Sequence, residues 1–83
     1  MNREEIENKL HEIVKVYLPQ DVNSSKISLS SHLMQDLGIN SAHLVDIALD
    51  VEDTFDITLD EKDMEDMQTV KDSVDIVLNK LSS

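Results

Sequence analysis

Cysteine and tryptophan are missing from this sequence, and glycine, proline, tyrosine and phenylalanine occur once each. Without cysteine there is neither a disulfide framework nor a thiolate nucleophile, and the 3 histidines lack the Cys or clustered His partners that a zinc site uses. No apolar run approaches the roughly 20 residues of a membrane-spanning helix. The opening Met1-Asn2-Arg3-Glu4-Glu5 resembles neither a signal nor a transit peptide, so the expectation is a soluble, cytoplasmic chain. The 83 residues leave room for a single domain, 1–83. Chains of this size bury only about 60% of their extended surface, so helix packing must supply an economical core.

Basic residues are also scarce. The chain has 7 Lys and Arg against 18 Asp and Glu, a formal charge of −11. The imbalance is uneven: residues 1–35 hold 4 basic and 5 acidic side chains, whereas 36–83 hold 3 and 13. Such a field repels phosphate backbones and anionic lipid headgroups, which argues against nucleic acid and membrane surfaces as partners. Basic protein surfaces would be steered toward it, and the same charge favours a monomer in free solution.

What is present is helical periodicity. Ile6, Leu10, Ile13, Val14 and Tyr17 form one face of an amphipathic helix over 3–18, capped by Asn2 with Glu5 and stopped by Pro19. His11 reads as a boundary or surface residue. Residues 19–35 form a long loop with apolar anchors at Val22, Ile27, Leu29, Leu33 and Met34, and a short helical turn is expected near Leu33. His32 reads as a surface histidine without a partner.

A second helix over 41–55 carries Leu44, Ile47, Ala48, Val51 and Phe55 on one stripe. Val45 and Leu49 sit beside it and widen its apolar surface; the core is expected to wrap further round, the alternative being a docked partner. Asp60 with Asp63 caps a brief helix containing Met64 and Met67. Thr69 with Asp72 opens the last, in which Val70, Val74, Val77, Leu78 and Leu81 face inward, Ile76 lies alongside and Lys80 suits the C-terminal dipole end. The predicted fold is all-α, a small four-helix bundle of three longer helices and one short one, with the long loop between the first and second.

Catalysis finds little support. A chain with so few aromatics and no Cys cannot readily wall off a dry pocket that would raise a carboxylate pKa. Ser41 and His43 form no dyad, because helical neighbours at i and i+2 do not face each other. The acidic run from Asp50 to Glu61 fails as an EF-hand, since Phe55 stands where the sixth loop position needs glycine. Ser41 offers something else. Its hydroxyl lies at or next to a helix N-terminus, where free N–H groups and the positive dipole end stabilise an attached phosphate. Read locally, Asn40 and Ser41 are equally good helix caps.

The segment Asp36-Leu37-Gly38-Ile39-Asn40-Ser41, followed by Leu44-Val45-Asp46-Ile47, Glu52-Asp53-Thr54-Phe55 and Ile57-Thr58-Leu59, resembles the acyl carrier protein family and its D-L-G-x-D-S-L modification motif. The likeness extends over nearly the whole chain. It implies that Ser41 bears 4'-phosphopantetheine, attached by a phosphopantetheinyl transferase from coenzyme A, whose thiol holds an acyl or related group as a thioester. It further implies partner recognition through Asp36, Asn40, Asp46, Glu52 and Asp53, read by basic docking patches on a loading ligase, synthase or acyltransferase of lipid or polyketide-type biosynthesis. The positions matching an acyl-chain pocket are Ile47, Ala48, Val51, Leu59, Met67 and Val70, which are equally ordinary core residues. No metal and no catalytic residue of its own are implied. An aminoacyl carrier, D-alanyl or peptidyl, is the alternative within the family; an unmodified acidic interaction module is the alternative outside it.

Three departures bear on pathway. Asn40 replaces the usual Asp before the serine, Ala42 the usual Leu after it, and His43 stands where an acid is common. An imidazole in place of a carboxylate makes the helix entrance less negative, which implies a specialised carrier with partners of its own.

Overall fold

A computed structural model describes residues 2–23, 25 and 27–82; both ends of the 1–83 span lie outside the described residues. It contains α1 (Arg3–Val16), α2 (Ser41–Phe55), α3 (Glu61–Asp66) and α4 (Val70–Ser82), in the predicted all-α arrangement. Ile6, Leu10 and Val14 recur one helical turn apart, and α1 buries all of them against α2 and α4. The Asn2 side chain accepts the Glu5 N–H at 2.9 Å, as its position before the apolar stripe predicts. The helix ends slightly earlier than expected because the Tyr17 N–H turns back to the Val14 carbonyl at 3.0 Å, a tightened last turn ahead of Pro19.

From α2 the core takes Ile47, Ala48, Val51 and Phe55, and from α4 Val70, Val74 and Val77. The cap of α2 is Asp56 at φ 55°, a left-handed conformation that short polar side chains tolerate. The Thr69–Asp72 capping box forms in full, with each backbone N–H bonded to the other's side chain at 3.0 and 3.1 Å. The core does not wrap round α2 as expected: Val45 and Leu49 remain 48% and 52% exposed, since no described element is laid over them. Leu81 is also outside, at 42%, because it follows Val77, the last residue α4 buries.

The connection from Tyr17 to Asn40 is long but ordered by specific bonds. Leu33, Leu37 and Ile39 are each 1% exposed and belong to the core, whereas the expected anchors Leu29 and Met34 are at the surface. Three main-chain bonds strap this segment to the start of α4. The Val70 N–H reaches the Ser31 carbonyl at 3.1 Å, Lys71 N–H reaches Leu29 at 2.9 Å, and Leu33 N–H reaches Gln68 at 2.8 Å. Helix N-terminal N–H groups lack intrahelical acceptors, so the loop's carbonyls satisfy α4 while α4 fixes the loop.

In contrast, α3 fully buries no side chain of its own. Half-buried Met64 packs against the core, and the helix is further held by a reciprocal Asp60–Asp63 capping box and by a 2.8 Å ion pair from Asp63 to Lys80, the residue expected only to complement the α4 dipole. The Lys80 ammonium, followed by the Asp60 N–H, holds the Asp63 carboxyl below its ordinary 3.8. A carboxyl lowered by folding stabilises above its unfolded value and loses that contribution as pH falls through its folded value. Asp63→Asn should therefore melt at a lower temperature than the parent chain at pH 7. The gap should be full above about pH 4, the ordinary carboxylate range, and should narrow progressively as thermal scans are taken at lower pH.

Candidate functional site at the start of the second helix

The approach to Ser41 is organised by His32. Its Nδ1 accepts the N–H groups of Met34 and Gln35 at 3.2 and 3.1 Å. Its carbonyl accepts those of Asp36 and Leu37 at 2.9 and 3.1 Å, and its own N–H donates to the Asp36 carboxylate at 2.7 Å. The expected surface histidine without a partner is thus the hub of a one-turn structure that delivers Leu37 to the core. Gly38 follows at φ +71°, the left-handed region open to glycine. The Ile39 N–H then bonds to the Leu33 carbonyl at 3.1 Å. Burial on both sides of Gly38 leaves the chain one direction in which to continue.

That direction starts α2. Asn40 is the cap, with extended backbone and its Oδ1 accepting the His43 N–H at 2.8 Å. Ser41 is the first helical residue, exposed, with its hydroxyl free of any bond among the described residues. The N–H groups of Ser41 and Ala42 likewise have no partner among the described residues, and they lie at the positive end of the helix dipole. An exposed hydroxyl beside unsatisfied N–H groups fits a phosphodiester. The 4'-phosphopantetheine arm that the resemblance implies would supply a terminal thiol that a cysteine-free chain does not have.

The residues implied in partner recognition divide into two groups. Asp46 and Asp53 are exposed on α2. Asp36 and Asn40 are committed to the turn and the cap, and Glu52 is half-buried with Oε2 accepting the Leu59 N–H at 2.7 Å, which ties the end of α2 to the segment before α3. The six pocket positions are closed core, none more than 5% exposed. A groove of about 390 Å³ lies alongside instead, lined by His32, Met34, Leu44, Met64, Met67 and Gln68 among others. Met67 alone of the six reaches it. A smaller hollow of about 180 Å³, with Glu7, His11 and Leu29 in its wall, takes no residue from α2.

Sequence reasoning passed over Tyr17 as one more core residue. It is half-exposed, and its hydroxyl donates to the Asp50 carboxylate at 2.6 Å while its ring centroid lies 5.7 Å from that of His43, tilted by 51°. The hydrogen bond to Asp50, then burial and the charges of Asp50 and Asp46, push the phenol up to about 12. It therefore stays protonated, as the donor. His43 leans on Tyr17, in keeping with the absence of a Ser–His dyad. The single chain position that could have flagged this contact is Tyr17 itself, the only tyrosine, placed at the end of the first apolar stripe.

The cap generates a direct test. Asn40→Ala should lower the unfolding free energy by about 1 kcal/mol in urea titrations. Asn40→Asp should retain the parent value, because a carboxylate caps equally well.

Comparison with known proteins agrees with this geometry. The family model described as "Phosphopantetheine attachment site" matches residues 8–77. The chain is 37% identical over 81 residues to the acyl carrier protein of Coprothermobacter proteolyticus, covering 98% of this chain and 96% of that protein. It is 36% identical over 80 residues to that of Thermotoga maritima, covering 96% of each. A solved structure of an acyl carrier protein from Enterococcus faecalis superposes with a TM-score of 0.79 at 25% identity, over 96% of this chain and 99% of that one. The fold, the serine-bearing helix start and these relatives agree: this chain belongs to the acyl carrier protein family, non-enzymatic carriers that work through an attached phosphopantetheine.

Proposed function

We propose that Ser41 is the attachment residue, that 1–83 works as one carrier domain in the cytoplasm, and that its cargo is an acyl group delivered to enzymes of lipid or polyketide-type biosynthesis. The observation that carries this reading is the exposed Ser41 hydroxyl at the N-terminus of α2, beside N–H groups with no partner among the described residues. Membership of the family implies a phosphopantetheinyl transferase and acyl-handling enzymes as partners, and answers the alternative of an unmodified module.

Docking is electrostatic. Asp46 and Asp53 project from the same helix that carries Ser41, within the 36–83 segment that holds 13 of the 18 acids. Basic patches on partner enzymes complement them, and the complexes are weak and sensitive to salt. Among the described residues no helix is long and apolar enough to cross a membrane. The groove beside Leu44, Met64 and Met67 offers the cargo a resting place, and methionine's flexible thioether suits irregular occupants. A longer chain would pass Met67 to reach the interior positions Ile47, Ala48, Val51, Leu59 and Val70. Asn40, Ala42 and His43 alter what a partner reads at the helix entrance, which supports dedicated partners over the housekeeping fatty-acid set.

Intact-mass measurement after incubation with coenzyme A and a broad-specificity phosphopantetheinyl transferase tests the assignment. The parent chain should gain one phosphopantetheinyl group and Ser41→Ala none; a gain on the variant would move the site elsewhere. Loading of the modified chain by housekeeping fatty-acid enzymes should be slow and should improve with Asn40→Asp and His43→Asp together. Full use of the unaltered chain by those enzymes would sink the specialised reading.

A further inference from the structure

The carrier reading leaves one cluster beside Ser41 without a role. His43, Asp46 and Asp50 follow at helical spacings of three and four, so they share one face of α2. Tyr17, at the cap of α1, meets both ends of that row, Asp50 through its hydroxyl at 2.6 Å and His43 through its ring at 5.7 Å. A phenol bonded this closely to a carboxylate occupies one of its oxygens in a charge-assisted bond and fixes its orientation. Asp50 is half-buried accordingly, whereas Asp46 between the two contacts is exposed.

From this arrangement we infer that Tyr17, His43 and Asp50 form a partner filter beside the attachment serine. Tyr17 occupies one Asp50 oxygen and turns that carboxylate back toward α1, and an imidazole stands beside it at the surface, so around exposed Asp46 this flank offers a basic docking patch fewer free carboxylate oxygens. The inference rests on the reading of Ser41 as the attachment residue and α2 as the docking helix.

The filter specifies the kind of enzyme that fits. A partner whose basic side chains reach only Asp46 and Asp53 loses nothing here. One whose patch extends over the first turn of α2 toward α1 meets an imidazole in place of a carboxylate, and finds Asp50 already engaged. The phenol, held far above neutral pH, remains the donor throughout the physiological range. Discrimination here consists of removing attraction for the wrong partner, which serves specificity as well as adding it for the right one does.

A double-mutant cycle tests this with a broad-specificity phosphopantetheinyl transferase as the basic probe and the full-length chain as substrate. KM and kcat for modification would be measured at low and high salt for the parent, Tyr17→Phe, Asp50→Asn and the double variant. Tyr17→Phe keeps the ring against His43 and releases Asp50. It should lower KM at low salt by roughly twofold to fivefold, the size of an exposed ion pair, without a matching change in kcat. High salt should erase the gain. Asp50→Asn should raise KM more in the Tyr17→Phe background than in the parent, which a merely structural tyrosine would not produce. Equal effects of Asp50→Asn in both backgrounds, with the KM of Tyr17→Phe unchanged, would overturn the inference. Should Tyr17→Phe fail to fold, His43→Asp adds the missing carboxylate directly and should lower KM by a similar factor; an unchanged KM would overturn it too. If the parent and all variants resist a transferase that modifies a reference carrier, the attachment reading itself falls, an outcome distinct from both.

Discussion

Much of this structure depends on the exchange of hydrogen bonds between the long loop and the N-terminus of α4. The first N–H groups of a helix have no acceptor within it, and here Val70 and Lys71 find theirs in the carbonyls of Ser31 and Leu29. The same bonds remove the freedom of a segment that would otherwise wander between α1 and α2. With 31–33 fixed, His32 gathers the next turn around its ring and carbonyl, Leu37 and Ile39 enter the core, and Gly38 provides the left-handed step between them. Ser41 is presented at the surface because its predecessors are held from below. On the proposed reading of Ser41 as the attachment residue, a serine on a rigid helix start meets its partner enzymes with little ordering at each encounter.

Rigidity is unevenly distributed. The α1, α2 and α4 helices share a continuous apolar interior, whereas α3 fully buries none of its six residues and is held by a capping box, an ion pair to Lys80 and the half-buried Met64 packed against the core. The groove of about 390 Å³ opens on that lightly held side, with Met64 and Met67 in its wall. Elements with few buried contacts open at lower free energy than the core does. The groove thus has two kinds of wall: the ordered turn of His32, Met34 and Gln35 that leads to Ser41, and the lightly held α3 side with Met64.

The helices and their caps were legible because they obey local rules. Period-3.6 stripes gave α1, α2 and α4, and short-range pairs such as Asp60–Asp63 and Thr69–Asp72 marked two helix starts. What stayed hidden depends on contacts distant in sequence. His32 looked idle because its partners are main-chain groups, which no residue pattern encodes. Leu37 and Ile39 flank a glycine without periodicity, so their burial follows only from the strap to α4. Val45 and Leu49 were assigned inward because an apolar i, i+4 pair reads the same whether or not an element covers it. For the site, the residue types around Ser41 carried the resemblance, while the division of acids into exposed Asp46 and Asp53 and engaged Asp36, Asp50 and Glu52 required coordinates. The six pocket positions illustrate the same limit: a buried residue and a cargo-lining one are identical in sequence.

Peptide-level fragmentation mass spectrometry of the chain purified from the cells that make it tests the account's central claim most directly. A phosphopantetheinyl ester confined to Ser41, with the serines of the preceding loop bare, is the predicted result. A modification carried by Ser30 or Ser31 instead, or a chain bare at every serine in actively growing cells, would contradict it.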